Sequence, residues 1–251
     1  MKTKNNTILI TGGATGIGLA LAEAFVKEGN QVIICGRRKE RLEQARKKLS
    51  GIAVQVCDVA EAEQRQALLD WSLANFPHLN MLVNNAGVQR SIDFTQGMRD
   101  LSPNKDEIEI NFNAPVQLSA LFLPHLIQQQ EAAIVNVSSG LGFIPLTILP
   151  VYCATKAALH SFSLSLRHQL RRTRVKVFEL IPPTVDTELD GGARDDRPQE
   201  YRGIPAGEVA QAALIGLGKD EFEITVGQSQ GLRTNTRQEA EQIFQRMNGN
   251  W

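Results

Sequence analysis

The sequence predicts an α/β fold in which a parallel sheet carries helices on both faces. Three observations predict it. Short β-rich runs alternate with longer helical segments along the chain, the pattern of repeated strand–helix–strand units. Runs such as QVIIC and AIVNV are nearly continuously apolar, as central parallel strands covered on both faces tend to be. The 251 residues, 42% hydrophobic and 22% charged, supply the core of one large α/β domain. No repeat, low-complexity tract or linker divides the chain, so residues 1–251 are expected to form a single domain.

Residues 7–10, 31–35 and 52–56 are the first three strands, separated by helices at 16–28 and 39–49. The second of these helices is charged and amphipathic, which suits a helix with one face on the sheet. A helix at 61–76 leads to a short strand at 81–83 that ends in NNAG. A long helix is expected from about 106 to 129, bent by Pro115, because proline removes a backbone bond and crowds the preceding turn. Strand 133–137, helix 151–171, strand 175–180, helix 208–217 and strand 223–226 complete the alternation. Residues 186–205 are polar and rich in Gly, Asp, Arg and Pro, a composition expected of a loop that closes over cofactor and substrate. The tail at 232–251 carries one amphipathic helix around 238–247.

Composition narrows the function classes. Basic and acidic residues number 27 each, giving zero net charge and no electrostatic footprint for nucleic acid. No apolar run is long enough to span a membrane, and no signal segment is expected before the first strand. Three cysteines with no CxxC pair fit a reducing, cytoplasmic setting better than a disulfide framework. Cys35 and Cys57 lie in apolar runs and are expected to be buried thiols. Cys153 is expected to point away from its neighbour Tyr152.

The first strand runs into Thr11-Gly12-Gly13-Ala14-Thr15-Gly16-Ile17-Gly18, which opens a helix. Gly12 permits the tight turn, Gly16 lets backbone approach a pyrophosphate, and Gly18 lets the helix pack close to the sheet. The helix start offers free N–H groups and a positive dipole end to phosphate. Ala14, Thr15 and Ile17 complete this cofactor turn. The end of the second strand bears on which dinucleotide binds. An NAD site wants an acidic residue there for the ribose hydroxyls, but the chain has Cys35-Gly36-Arg37-Arg38-Lys39. No carboxylate repels a 2′-phosphate, and two guanidiniums stand ready for one. Arg37 is expected to do most of this, with Arg38 stacking on adenine or assisting; a solvated basic helix start is the alternative. Asp58 is placed to accept the adenine amino group with Val59 beside the ring, or equally to cap the segment from Ala60. Asn84-Asn85-Ala86-Gly87 passes small residues beside the ribose, and its asparagines also suit tying strands together.

Tyr152 and Lys156 stand four residues apart in VYCATKAALHSF, so a helix puts both on one face. A phenol beside a fixed ammonium is more acidic, because the positive charge favours the phenolate.

In order and spacing, TGGATGIG, Asp58-Val59, NNAG, Asn111 in INFNAP, Ser139 in NVSSG, YCATK and PPTVDT resemble the short-chain dehydrogenase/reductase family over about residues 7–226. VYCATKAALHSFSLSLRHQL is also similar to short-chain oxidoreductases found with bacterial cell-wall D-alanylation genes. The resemblance implies a Rossmann-like doubly wound sheet of about seven strands in the order 3-2-1-4-5-6-7. It implies hydride transfer between NADP(H) and a carbonyl or alcohol, with Tyr152 as general acid and, in reverse, base. Ser139, thirteen residues before the tyrosine, would donate to the carbonyl oxygen, leaving Ser138 a supporting role. Lys156 would hold the ribose hydroxyls, and Asn111 a water linking Lys156 to solvent. Asn85, Ala86, Gly87, Pro182, Val185 and Thr187 would line the cofactor, Thr187 at the carboxamide. One departure matters: the family usually has Pro-Gly where this chain has Pro182-Pro183. Pro183 lacks an N–H and fixes φ, which stiffens the turn and alters the pocket near Thr184.

Gln89, Leu141, Phe143, Ile144, Leu149, Pro183 and Leu189 are the expected substrate walls. Most are apolar, favouring a hydrophobic ketone, aldehyde or alcohol. The resemblance also implies a homodimer or homotetramer built on the helices at 106–129 and 151–171. The four histidines suggest no metal cluster, and His160 and His168 are expected at a helix or subunit face. The rival of a different class is an NADP-sensing protein without turnover; on the same fold, an NAD-dependent dehydrogenase is the alternative. An epimerase or dehydratase is disfavoured by the compact length. Ser139, Tyr152 and Lys156 are all present, which favours turnover.

Overall fold

The computed structural model describes residues 1–99, 101, 107–189, 203–234 and 237–248. Seven parallel strands form one sheet in the order β3-β2-β1-β4-β5-β6-β7. They are β1 (Thr7–Thr11), β2 (Gln31–Gly36), β3 (Ala53–Val56), β4 (Met81–Asn84), β5 (Ala132–Val137), β6 (Val175–Ile181) and β7 (Glu223–Thr225). The strand order reverses between β1 and β4, and the crevice at such a switch point, beyond the carboxyl ends of the strands, is where open α/β sheets bind ligands.

The period of two in the strands sorts the core into two layers. Ile8, Ile10, Val32, Ile34, Val135, Phe178 and Leu180 pack with Leu21 and Phe25 of α1 (Gly16–Lys27) and Val209 and Leu217 of α6 (Ala206–Gly218). Leu9, Ile33, Leu82, Ile134 and Val177 face the other way. Leu68 of α3 (Ala62–Asn75), Leu118 and Phe122 of α4 (Ala114–Gln128) and Leu166 of α5 (Pro150–Gln169) cover them. This two-sided burial explains the continuous apolar runs. Among the described residues the remaining α-helices are α2 (Lys39–Lys48), α7 (Ser229–Thr234) and α8 (Arg237–Asn248).

Two local features depart from the sequence expectation. The long helix contains a π-turn, Glu109–Asn113, directly before α4. The irregularity lies just before Pro115, which follows the π-turn in the same continuous helical run and has no N–H to give the turn preceding it. A further Pro124 lies inside α4. Short helical turns at Phe94–Arg99 and α7 were not expected. Residue 106 and residues 190–202 of the expected closing loop lie outside the described residues.

Candidate active site

The glycine turn between β1 and α1 is tied to the segment after β4. Thr11 Oγ1 accepts the N–H groups of Asn85 and Ala86 at 3.0 Å each. Asn85 Nδ2 donates to the carbonyls of Thr11 at 2.9 Å and Gly12 at 3.2 Å. Gly12 has φ +63°, and a Cβ there would lie 2.9 Å from Ala86 Cα; one at Gly18 would lie 2.3 Å from the Gly12 carbonyl oxygen. Only glycine fits this approach. Thr15 is the N-cap of α1 but makes no side-chain cap bond, so its hydroxyl leaves the first-turn N–H groups open. A closed glycine cradle under an open helix start fits a dinucleotide pyrophosphate.

At the end of β2, Arg37 and Arg38 diverge. Arg37 Nη1 lies 3.8 Å from Asp58 Oδ2. Arg38 Nη2 is 3.4 Å from Thr15 Oγ1, and its Nη1 is 3.1 Å from Glu188 Oε2. Asp58 Oδ1 accepts the Ala60 N–H at 3.0 Å, closing a two-residue turn, while α3 takes Glu61 as its N-cap. Val59 is buried.

Pro150 opens α5, a position where its fixed φ suits the helix. Tyr152 and Lys156 are both buried on this helix. Lys156 Nζ lies 5.7 Å from the Tyr152 ring centroid and donates to the Val137 carbonyl at 2.8 Å. Burial lowers the Lys156 pKa from 10.5 to about 8, with the negative charge of Glu179 opposing the shift. Ser139 follows β5 and caps the turn Gly140–Gly142, its Oγ accepting the Leu141 N–H at 3.1 Å. That turn presses on α5: a Cβ at Gly142 would be 3.0 Å from the Lys156 carbonyl carbon. A Cβ at Gly87 would lie 3.8 Å from Lys156 Nζ and 3.3 Å from Asn111 Oδ1. The NNAG loop, Asn111 and Lys156 thus converge.

The Asn111 side chain is spent on the fold. Its Oδ1 accepts the Val88 N–H at 2.9 Å, and its Nδ2 donates to the Val88 carbonyl at 2.9 Å and Thr155 Oγ1 at 3.2 Å. Pro115, four residues on, has no N–H to give the Asn111 carbonyl.

Glu179 was not foreseen. It shares the strand parity of Val175 and Val177, so it faces α5, where it is fully buried. Its Oε1 accepts from Ser138 Oγ at 2.5 Å, and its Oε2 meets His160 Nδ1 at 2.7 Å. His160 thus points from its helix toward β6 of the sheet; its ring also lies 4.6 Å from that of Phe143. A carboxylate inside the apolar strand VKVFELI was the available signal.

Leu141, Leu149 and Leu189 pack with Tyr152 in one apolar cluster, joined by Leu146, Ile148 and Cys153. Ile144 is buried. Pro183 lies 3.8 Å from where a Cβ of Gly227 would sit, and Gly140 N donates to the Pro182 carbonyl at 3.1 Å. Val185 pairs with Ile204 in an isolated bridge. Thr187 touches the cofactor turn, its Cγ2 3.0 Å from a Cβ built at Gly16. Gln89 is half-buried beyond the NNAG loop. Among the described residues no group of His, Cys, Asp or Glu forms a metal site, and no helix is long and apolar enough to cross a membrane.

A family model described as short chain dehydrogenase matches residues 6–198. DltE of Bacillus subtilis (strain 168), an uncharacterized oxidoreductase, is 55% identical over 248 residues, covering 99% of this chain and 98% of its own. An uncharacterized oxidoreductase of Staphylococcus epidermidis is 30% identical over 217 residues, 86% of this chain and 92% of its own. A solved short chain dehydrogenase from Burkholderia cenocepacia J2315, in complex with NADP, matches with TM-score 0.82 and 26% identity over 97% of this chain and 99% of its own. One from Burkholderia phymatum, in complex with NAD, shares the fold at TM-score 0.83 and 23% identity, over 97% of this chain and 96% of its own.

Proposed function

The chain belongs to the short-chain dehydrogenase family, and we propose that it is an NADP(H)-dependent oxidoreductase acting between a carbonyl and its alcohol, with Tyr152 as the proton-transferring acid and base. The observation that carries this reading is the buried Lys156 ammonium 5.7 Å from the centroid of the Tyr152 ring. A nicotinamide bound along the glycine cradle supplies or accepts the hydride. Tyr152 protonates the oxygen that gains charge during reduction and takes the proton back in oxidation. Lys156⁺ stabilises the phenolate. Ser139 accepts from Leu141 and keeps its own O–H to donate to the substrate oxygen. With the Asn111 side chain bonded to Val88, a water relay to Lys156 would run through the Asn111 backbone carbonyl.

The preference for NADP(H) is supported by Arg37 and Arg38 where an NAD site would place a carboxylate; the solved relatives, one with NAD and one with NADP, support the dinucleotide alone. The cluster of Leu141, Leu149, Leu189 and Tyr152 favours an apolar carbonyl substrate, with Gln89 and Pro183 as further walls. A cytoplasmic homodimer or homotetramer built on α4 and α5 belongs to the same reading.

Tyr152→Phe tests it. The variant should bind NADPH as the wild type does and lose most turnover on carbonyls. Full activity would remove Tyr152 from the chemistry, and NADPH binding without turnover by the wild type on any carbonyl would favour a sensor.

A further inference from the structure

We propose that Arg38, Arg41 and the Thr15 hydroxyl form a seat for the adenosine 2′-phosphate, and that Glu188 holds this seat as an internal anion which the phosphate must displace. The inference rests on the NADP(H) reading above.

Glu188 reaches across the cofactor groove to α2. Its Oε1 lies 3.0 Å from Arg41 Nη2 and its Oε2 3.1 Å from Arg38 Nη1. These partners are 147 and 150 residues away in the chain, so the contact is a product of the fold. Arg38 at the same time donates to Thr15 Oγ1 at 3.4 Å. The cleft between α1 and α2 here has a volume of about 340 Å³ and is lined by Thr15, Gly16, Arg41, Lys48 and Glu188, among others. Thr187, the residue before, rests on Gly16. The Thr187-Glu188 step therefore lies over the turn that cradles the pyrophosphate, with its carboxylate on the flanking cations.

The chemistry matches one ligand group. Two guanidiniums each take one carboxylate oxygen of Glu188, the arrangement a phosphate monoester offers with a third oxygen to spare. A phosphate monoester also carries close to two negative charges at neutral pH, so it outcompetes a single carboxylate for the same cations. A ribose with a free 2′-hydroxyl has no charge to compete with, and leaves Glu188 on its arginines. Arg37 is paired instead toward Asp58. Glu188 thereby tempers how tightly a 2′-phosphate is held.

The experiment is a titration of wild type and Glu188→Gln with 2′,5′-ADP, 5′-AMP, NADPH and NADH. The exposed pairs are weak, so their release should tighten 2′,5′-ADP by about three- to tenfold, while 5′-AMP changes less than about twofold. Raising the ionic strength should shrink the gain, and Arg41→Ala should weaken 2′,5′-ADP in either background. Unchanged or weaker 2′,5′-ADP binding in Glu188→Gln, or equal tightening of 5′-AMP, would overturn the proposal. Wild-type preference for NADH would instead sink the NADP(H) reading, a result visible without the variant.

Discussion

The Lys156 ammonium sits 5.7 Å from the centroid of the Tyr152 ring while donating at 2.8 Å to the carbonyl of Val137. Both side chains are buried, so the charge acts on the phenol with little screening by water. The same burial works against the fold, since it lowers the Lys156 pKa from 10.5 to about 8. Between those values the unfolded chain binds more protons than the folded one, so this group makes stability rise with pH from about 8 upward.

Lys156→Met should therefore separate stability from activity. Removing a buried charge relieves its desolvation, while losing the bond to Val137 offsets part of the gain. The expected net effect at pH 7 is on the order of 1–2 kcal/mol of added stability in urea unfolding. Carbonyl turnover should fall by about 10²-fold or more. A less stable variant would mean that the lysine is held by more than its present partners.

Ser139→Ala removes a donor and a cap together. Ser139 accepts the Leu141 N–H at 3.1 Å, so stability should drop by about 1 kcal/mol. Loss of the hydroxyl donor to a developing oxyanion should cost about 10²–10³ in kcat, with NADPH affinity retained. Steady-state kinetics alongside a thermal melt decide it: a stability loss with normal kcat would leave Ser139 a cap alone.

The strands and most helices were legible in the sequence because their signals are local. Apolar runs such as TILI and QVIIC announce two-sided burial, and the glycine turn announces itself by spacing. The partners were not legible. Asn111 bonds the backbone of Val88, 23 residues away, and Arg38 meets Glu188 150 residues on; no periodicity encodes such pairs. The sequence places His160 only at a helix or subunit face, because its carboxylate partner Glu179 is on β6, hidden within an apolar strand. Pro115 announced a disturbance in the long helix, but whether the chain would bend or take a π-turn at 109–113 is decided by packing that no local pattern encodes.

Gly18→Ala tests the cradle. The new Cβ would lie 2.3 Å from the Gly12 carbonyl oxygen and 2.5 Å from Asn85 Nδ2. The clash involves backbone, so α1 or the turn must move. Stability should fall by about 1–3 kcal/mol, and dinucleotide affinity by about tenfold or more, as the first-turn N–H groups lose their aim. Calorimetric titration with NADPH checks it, and wild-type affinity would show that the turn tolerates a side chain.

The pair of Glu179 and His160 should give the folded protein a pH dependence of its own. His160 Nδ1 lies 2.7 Å from a carboxylate oxygen of the fully buried Glu179, and this hydrogen bond raises the His160 pKa above 6.5 against the opposing effect of burial. A raised histidine stabilises the fold fully below the unfolded value near about 6.5, and the contribution is lost as pH climbs through the folded value. The loss comes from a partly buried, charge-assisted pair, so it should amount to about 1 kcal/mol. Urea unfolding should show it as a decline from pH 6 toward 8, before the rise that Lys156 contributes above about 8. In His160→Gln the amide can still donate to Glu179 but does not titrate, so the decline should vanish while the fold persists. A wild type whose stability is level from pH 6 to 8, or a variant that keeps the decline, would assign the titration to another group.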